Sequence, residues 1–106
     1  MSEHFAAGED DVWEGEMLGV EIDGVPVLLV NVDGEIRAYR DRCPHQGVRL
    51  SAGRLHGTTL TCSAHHWTYD LREGRGINPC SAALDPVPVR VADGRVWVSI
   101  PEGRDG

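Results

Sequence analysis

Apolar and polar residues alternate in short runs along most of the chain, and turn residues separate the runs. Three runs follow one another in the N-terminal part, at Met17–Ile22, Pro26–Val32 and Glu35–Arg40. Asp-Gly pairs stand between them at positions 23–24 and 33–34. Because Asp-Gly favours the tight primed turn that joins two antiparallel strands, these runs predict strands connected by hairpins.

Similar runs continue downstream, at Thr58–Cys62, Trp67–Leu71, Val87–Ala92 and Arg95–Ile100. Helical periodicity is nearly absent, although the acidic pair at 10–11 could begin a single helical turn. Many short strands with frequent turns predict an all-β fold, either a sandwich or a small barrel. The pattern assigns the two ends, Met1–Gly8 and Glu102–Gly106, to mobile tails and places Trp13 and Trp97 in the core.

The chain has 106 residues, which suits one compact domain over residues 1–106, and its net charge is −7. Ten acidic residues and no lysine or arginine lie in the first 36 residues, and lysine is absent from the whole chain. This acidity argues against nucleic acid as a partner. The acidic stretch is either a solvated face or a docking surface for a basic protein.

No apolar run approaches the ~20 residues that are needed to span a bilayer. The N-terminus is polar and acidic and lacks the features of a secretory signal. We therefore expect a cytoplasmic protein without a membrane partner, in a compartment where thiols stay reduced. In such a compartment, cysteines close to histidines indicate metal binding before they indicate a disulfide.

Two short motifs carry the candidate chemistry: Cys43 and His45 are separated by one residue, and Cys62 and His65 by two. Each motif falls in a predicted loop, so that each loop can offer one thiolate and one imidazole to the same point. Such a set can bind one zinc ion tetrahedrally, or a [2Fe–2S] cluster with cysteines on one iron and histidines on the other. Zinc fingers usually pair like ligands in one knuckle, so the mixed pairs favour the cluster and leave zinc as the alternative.

The combination C-P-H and C-x-x-H is the signature of Rieske proteins, which the chain resembles over nearly its whole length. Several stretches are more specifically similar to the ferredoxin components of toluene 4-monooxygenase-type diiron monooxygenases. These stretches are D-V-W at 11–13, G-E-M at 15–17, C-P-H-Q at 43–46, T-C at 61–62, A-H at 64–65, W-T at 67–68 and G-I-N-P at 76–79. Ferredoxins of ring-hydroxylating dioxygenases usually have glycine where this chain has His66, which we do not expect to ligate metal.

The resemblance implies a Rieske-type antiparallel β-sandwich of two three-stranded-type sheets, with a small cluster-binding subdomain of two loops at about residues 41–80. It implies one [2Fe–2S] cluster, with Cys43 and Cys62 on the buried iron and His45 and His65 on the outer one. The exposed imidazole edges would be the electron exit. The residues expected to surround the cluster are Gln46, Trp67, Tyr69 and Pro79, the last on a short proline loop that covers it.

The resemblance also bears on the reduction potential, which depends on cluster charge, hydrogen bonds to sulfur and solvent exposure. Members with the highest potentials carry a disulfide between the two loops, at the positions of Val48 and Ala64, and a serine hydroxyl at the position of Trp67. Tyr69 stands where such members place a hydroxyl against a cysteine sulfur, although it could equally be a core aromatic. We therefore expect a low Rieske potential that Tyr69 raises somewhat.

The function implied is that of a soluble, monomeric electron carrier rather than an enzyme. It would take single electrons from an NAD(P)H-dependent flavin reductase and deliver them to the diiron hydroxylase of a multicomponent hydrocarbon monooxygenase, through transient complexes. The chain lacks the 2-His-1-carboxylate iron site of a Rieske oxygenase. The alternatives are a ferredoxin of a ring-hydroxylating dioxygenase, a protein similar to the small subunit of nitrite reductase, and a zinc-stabilised binding module.

Overall fold

The computed structural model describes residues 2–42, 49–61, 68–71, 75–78, 84 and 86–100, and every strand pair in these ranges is antiparallel. The strands are β1 Ser2–Gly8, β2 Met17–Ile22, β3 Val25–Val32, β4 Glu35–Arg40, β5 Arg54–His56, β6 Thr59–Thr61, β7 Thr68–Asp70, β8 Arg75–Asn78, β9 Pro86–Val87, β10 Val89–Ala92 and β11 Arg95–Ile100. The predicted all-β class is confirmed.

The strands form three sheets. The first sheet has the order β1-β11-β10, the second β2-β3-β4-β9 and the third β5-β6-β7-β8. The second sheet therefore has one strand more than the three implied by the resemblance, because the two-residue β9 pairs with β4 at Ala38 and Tyr39. In the described part of the chain, no helix is long and apolar enough to cross a membrane.

Most predicted strands are found close to their predicted bounds. The bounds of β2, β4 and β11 are those expected, and β3 begins one residue earlier. The predicted run Val87–Ala92 is divided, because Pro88 has no N–H to donate and the chain crosses there from the second sheet to the first. The short strands β5 and β8 were not predicted, because three or four residues give too little alternation to recognise.

The hairpin turns confirm the prediction from the Asp-Gly pairs. Both residues of each pair have positive φ, with values of 52° and 83° at positions 23–24, 55° and 84° at 33–34, and 54° and 74° at 93–94. Positive φ at both central residues is the requirement of the type I′ turn, whose twist matches that of the strands on either side. These turns set the register of the β2–β3, β3–β4 and β10–β11 hairpins.

The prediction of a mobile N-terminal tail is wrong, because Ser2–Gly8 forms β1 and pairs with β11. Across that pairing the rings of Phe5 and Trp97 meet edge to face, with 5.8 Å between their centroids. The Arg90 guanidinium lies over Trp97 and donates two hydrogen bonds of 2.8 Å to the Glu3 carboxylate. This polar, acidic stretch is thus a strand because it pairs with β11, about ninety residues away in the sequence. The local residue pattern does not reveal such a distant partner.

Two tryptophans were predicted to be in the core, and the prediction is wrong for Trp13, whose exposed fraction is 65%. Trp13 follows a single 3₁₀ turn at Glu9–Asp11, which confirms the expected helical turn. Trp97 is half-buried beneath Phe5 and Arg90 on the outer side of the first sheet. Val12, directly before Trp13, supplies the buried side chain at this point instead.

The central strand β3 is covered on both faces, which explains its nearly continuous apolar sequence. Val27 and Leu29 face the first core, which the first and second sheets share with residues such as Val96 and Val98. The alternate side chains of β3 face the second core, which lies between the second and third sheets. The buried members of the second core are Leu28, Val30, Val32, Tyr39, Leu50, Leu60, Tyr69, Leu71 and Leu84.

A buried hydrogen bond fastens the third sheet to the second. The Tyr39 hydroxyl donates to the Leu71 carbonyl oxygen at 2.9 Å, and the Leu71 N–H donates to the Thr58 carbonyl oxygen at 2.9 Å. Burial raises the pKa of Tyr39. The charge and hydrogen bond of Arg37 oppose the rise, and the Asp70 carboxylate adds to it.

We expect Tyr39→Phe to lower the free energy of unfolding by about 1–3 kcal/mol at neutral pH, because the buried Leu71 carbonyl loses its donor. Since the folded-state pKa of Tyr39 is raised, its contribution is complete below the ordinary tyrosine pKa of about 10 and is lost as the pH rises above that value. Denaturant titrations between neutral and alkaline pH should show a smaller alkaline loss of stability in the variant. Parallel pH curves for the two proteins would contradict this.

Candidate metal centre

The four predicted metal ligands lie outside the described residues, in two segments that we call the first ligand segment (43–48) and the second ligand segment (62–67). Gln46, Trp67 and Pro79, predicted to surround the cluster, also lie outside them. The structure describes the residues on either side of each segment, which we call the frame: 41–42 and 49–53 for the first segment, and 61 and 68 for the second. The positions of these residues show whether the two segments can reach a common point.

The ends of the first ligand segment are joined by Asp41 and Ser51. The Asp41 side chain is 1% exposed, and each of its carboxylate oxygens accepts a hydrogen bond from Ser51. The Ser51 N–H donates to Oδ1 at 2.8 Å and the Ser51 hydroxyl to Oδ2 at 2.6 Å. The chain between them leaves the end of β4 and returns into a 3₁₀ turn at Leu50–Ala52, whose Leu50 is fully buried in the second core.

The second ligand segment connects the two strands of a hairpin. Thr61 at the end of β6 pairs with Thr68 at the start of β7. Residues opposite each other in an antiparallel pair have Cα atoms about 4.5–5.5 Å apart. The two residues that flank the second ligand segment therefore lie opposite each other at one point of the third sheet.

A backbone contact between Gly53 and Thr61 brings the chain that follows the first ligand segment beside the residue that precedes the second. A Cβ added to Gly53 would lie 2.2 Å from the Thr61 carbonyl oxygen, so only glycine lets the two stretches of backbone pass this closely. Gly53 follows the 3₁₀ turn Leu50–Ala52, which the chain enters after the first segment, and Thr61 directly precedes Cys62.

This frame fits the predicted donor set. Two segments anchored beside each other can present two thiolates and two imidazoles to one centre, which is the ligand set of a [2Fe–2S] cluster with two histidines. A tetrahedral zinc ion would accept the same donors. Among the described residues, no group of three or more His, Cys, Asp or Glu side chains is arranged to hold a metal ion.

Tyr69 is the one residue of the predicted surroundings that the structure describes. It lies in β7 opposite Leu60 and Gly76, and its side chain is fully buried in the second core. The ring is therefore a core aromatic, which is one of the two roles predicted for Tyr69. The predicted hydrogen bond from its hydroxyl to a cysteine sulfur stays a prediction.

Sequence reasoning missed the residues that build the frame. Asp41, Ser51 and Gly53 are ordinary polar and small residues whose partners are not their sequence neighbours. Gly19 was missed too, although a glycine inside the alternating run of β2 is a signal for a close approach of another chain. In the structure, Gly19 lies directly beneath the Asp41 and Ser51 side chains.

Comparison with known proteins shows what this chain is similar to. The profile of the Rieske [2Fe–2S] domain matches residues 2–90. The ferredoxin component of the alkene monooxygenase system of Xanthobacter autotrophicus Py2 is 41% identical over 90 residues, which cover 84% of this chain and 74% of the relative. The ferredoxin component of the naphthalene 1,2-dioxygenase/salicylate 5-hydroxylase systems of Ralstonia sp. is 32% identical over 96 residues, covering 90% and 92%.

Solved structures agree with these relatives. One chain from a complex of reduced oxygenase and oxidized ferredoxin in carbazole 1,9a-dioxygenase superposes with a TM-score of 0.82 at 26% identity. The superposition covers 92% of this chain and 92% of that chain. The three-sheet antiparallel architecture is therefore shared over nearly the whole length.

We expect Gly53→Ala to lower the free energy of unfolding by about 1–3 kcal/mol, because the added methyl group meets a backbone oxygen that cannot rotate away. The displacement falls beside Cys62, so the iron content per purified chain should also fall. Arg54→Ala, at the exposed neighbouring position, is the matched control and should keep both properties. Wild-type stability and iron content in Gly53→Ala would refute the contact's role.

We expect Tyr69→Phe to lower the midpoint reduction potential, because it removes a hydroxyl while leaving the buried ring in place. Tyr39→Phe is the control: this second buried tyrosine donates its hydroxyl to the Leu71 carbonyl, so its loss should reduce stability without changing the potential. Potentiometric titration of both variants gives the comparison. An unchanged potential in Tyr69→Phe would mean that its hydroxyl does not act on the cluster.

Proposed function

The chain belongs to the Rieske [2Fe–2S] family, and we propose that it carries single electrons from an NAD(P)H-dependent flavin reductase to the diiron hydroxylase of a hydrocarbon monooxygenase. It carries one Rieske [2Fe–2S] cluster and is an electron-transfer component of an oxygenase system, not a catalytic enzyme. We further propose that residues 1–106 form a single such domain that acts in the cytoplasm, where its thiols stay reduced.

We propose that Cys43 and Cys62 bind one iron and that His45 and His65 bind the other. The observation that supports this proposal is the contact between Gly53 and Thr61, which holds the chain after the first ligand segment beside the residue before the second. The cluster supplies a site that gains and loses one electron. The protein's own residues hold the two segments at a common point and leave the bond chemistry of oxygen insertion to another protein.

The identity of the terminal partner is proposed from similarity. The relative with 41% identity is the ferredoxin component of an alkene monooxygenase system, and the C-P-H-Q and W-T stretches resemble those of diiron monooxygenase ferredoxins. The ferredoxin of a ring-hydroxylating dioxygenase is the second candidate. The Ralstonia relative and the carbazole 1,9a-dioxygenase complex favour it, at 32% and 26% identity.

The exposed charge of the N-terminal third supports docking on a basic partner surface. Trp13 is exposed on a loop that four hydrogen bonds hold in place, and the exposed residues Glu9, Asp10, Glu14 and Glu16 are its neighbours along the chain. The loop is tied to Asn31, whose backbone and side chain bond to residues on both sides of Trp13. This loop is bonded to Asn31 at one end of β3, whereas Asp41, which precedes the first ligand segment, is bonded to Pro26 at the other end. The exposed aromatic and its acidic surroundings are therefore suited to steering a transient encounter, and the electron exit lies elsewhere.

The proposed partner can be tested by reconstituting turnover with a flavin reductase, NADH and either a diiron hydroxylase or a Rieske dioxygenase oxygenase. We expect kcat/KM for the ferredoxin to be at least about tenfold higher with the diiron hydroxylase, and to fall as ionic strength rises. A preference for the dioxygenase oxygenase would overturn the proposed partner in favour of the second candidate.

Two variants serve as a matched pair in the same assay. Trp13→Ala should raise KM for the ferredoxin with little change in kcat, because it removes contact area and not the cluster. Phe5→Ala, at the other strongly exposed aromatic among the described residues, should leave KM unchanged, because Phe5 lies on the outer side of the first sheet. Equal effects of the two variants would contradict a docking role for Trp13.

A further inference from the structure

We propose that Asp41 is a positioning residue for the metal centre: held by Ser51 in the space above Gly19, it fixes the geometry in which the first ligand segment presents its ligands. The three residues together are called the Asp41 clamp. The proposal rests on the proposed function only in that the first ligand segment holds part of the cluster. None of the three residues touches the cluster in this account, and each acts through the segment.

Asp41 is the only charged residue that is buried in the described part of the chain. Removing a carboxylate from water is costly unless its oxygens are bonded, and here both oxygens are bonded to one residue. A buried charge is weak evidence for a role in stability. What the two hydrogen bonds do fix is the position of Ser51 relative to Asp41.

The clamp packs closely against β2 at Gly19. A Cβ added to Gly19 would lie 2.7 Å from Ser51 Oγ and 2.9 Å from Asp41 Oδ2. Its backbone φ is not positive, so glycine is required at this position for space and not for conformation. Both neighbouring side chains are short and already bonded to each other, so they cannot turn aside without breaking the clamp.

Asp41 and Ser51 of the clamp lie on either side of the first ligand segment in the chain. The Asp41 N–H donates to the Pro26 carbonyl oxygen at 3.0 Å, which fixes the start of the first ligand segment to β3. Ser51 fixes its end, and Arg49 adds an exposed ion pair of 3.5 Å to Glu21 on β2. Fixing both ends of a short stretch of chain reduces the number of conformations open to the residues between them. The clamp therefore limits the arrangements in which the first ligand segment can present Cys43 and His45.

A role in positioning differs from a role in stability alone. A residue that only stabilises the fold lowers the free energy of unfolding when it is replaced, but the folded protein keeps its metal centre unchanged. A positioning residue alters the centre in the folded protein as well. Groups that orient metal ligands typically change metal affinity by about 10–100-fold when they are replaced.

The experiment uses the full-length holoprotein and the variants Ser51→Ala, Gly19→Ala and Asp41→Asn. The measurements are the rate of iron loss to a chelator, the midpoint potential, and the line shape of the EPR spectrum after reduction. We expect about tenfold faster iron loss, a shifted potential and broadened EPR lines in Ser51→Ala and Gly19→Ala. The double variant with Gly19→Ala and Ser51→Ala should lose iron no faster than Gly19→Ala alone, because both changes open the same clamp.

The control is Val98→Ala, which creates a cavity in the first core far along the chain from both ligand segments. It should lower the melting temperature at least as much as Ser51→Ala while keeping wild-type iron loss, potential and EPR spectrum. If Gly19→Ala fails to fold, Ser51→Ala and Asp41→Asn still decide the question, because they add no atoms to the packed region.

The proposal is overturned if the clamp variants lose stability but keep the wild-type metal centre, or if Val98→Ala changes the centre to the same degree. These measurements need no partner protein. If the wild-type protein holds its cluster but transfers no electrons to either oxygenase, the proposed function fails and the clamp is still decided by the variants.

Discussion

The backbone contact between Gly53 and the Thr61 carbonyl is the constraint on which the proposed metal centre depends. Each ligand segment contains one cysteine and one histidine of the proposed ligand set, so in this proposal neither segment holds the cluster alone. The contact anchors the end of one segment beside the start of the other, and no side chain is interposed. The third sheet and the second core keep that contact in place, since Leu50 and Leu60, close to it on either side, are both fully buried.

The other sheets support this arrangement at greater distance. β3, buried on both faces, fixes the second sheet between two cores, and the Tyr39 hydroxyl joins that sheet to the third at Leu71. Asp41 departs from the same second sheet and closes the first ligand segment on Ser51. The segments therefore rest on a rigid base, while the acidic surface around Trp13 is built from a separate loop of the second sheet's edge.

Features encoded within a few residues could be predicted from the sequence, and features that depend on distant partners could not. The Asp-Gly turns and the strands beside them follow from local backbone preference, and the ligand motifs are recognised by spacing alone. β1 is a strand because it pairs with β11, which is distant in the sequence. Trp13 is exposed because its neighbour Val12 occupies the buried position. Asp41 and Gly53 gain their roles only when the fold brings Ser51 and Thr61 to them.

The most direct test of the central claim is EPR with pulsed hyperfine measurement on the reduced protein labelled with ¹⁵N-histidine, together with iron and zinc analysis. A single cluster held by Cys43, Cys62, His45 and His65 predicts two irons per chain and two distinct histidine nitrogen couplings, which His45→Cys or His65→Cys reduces to one. A protein that contains one zinc ion and gives no EPR signal, or a cluster without nitrogen couplings, would contradict the account.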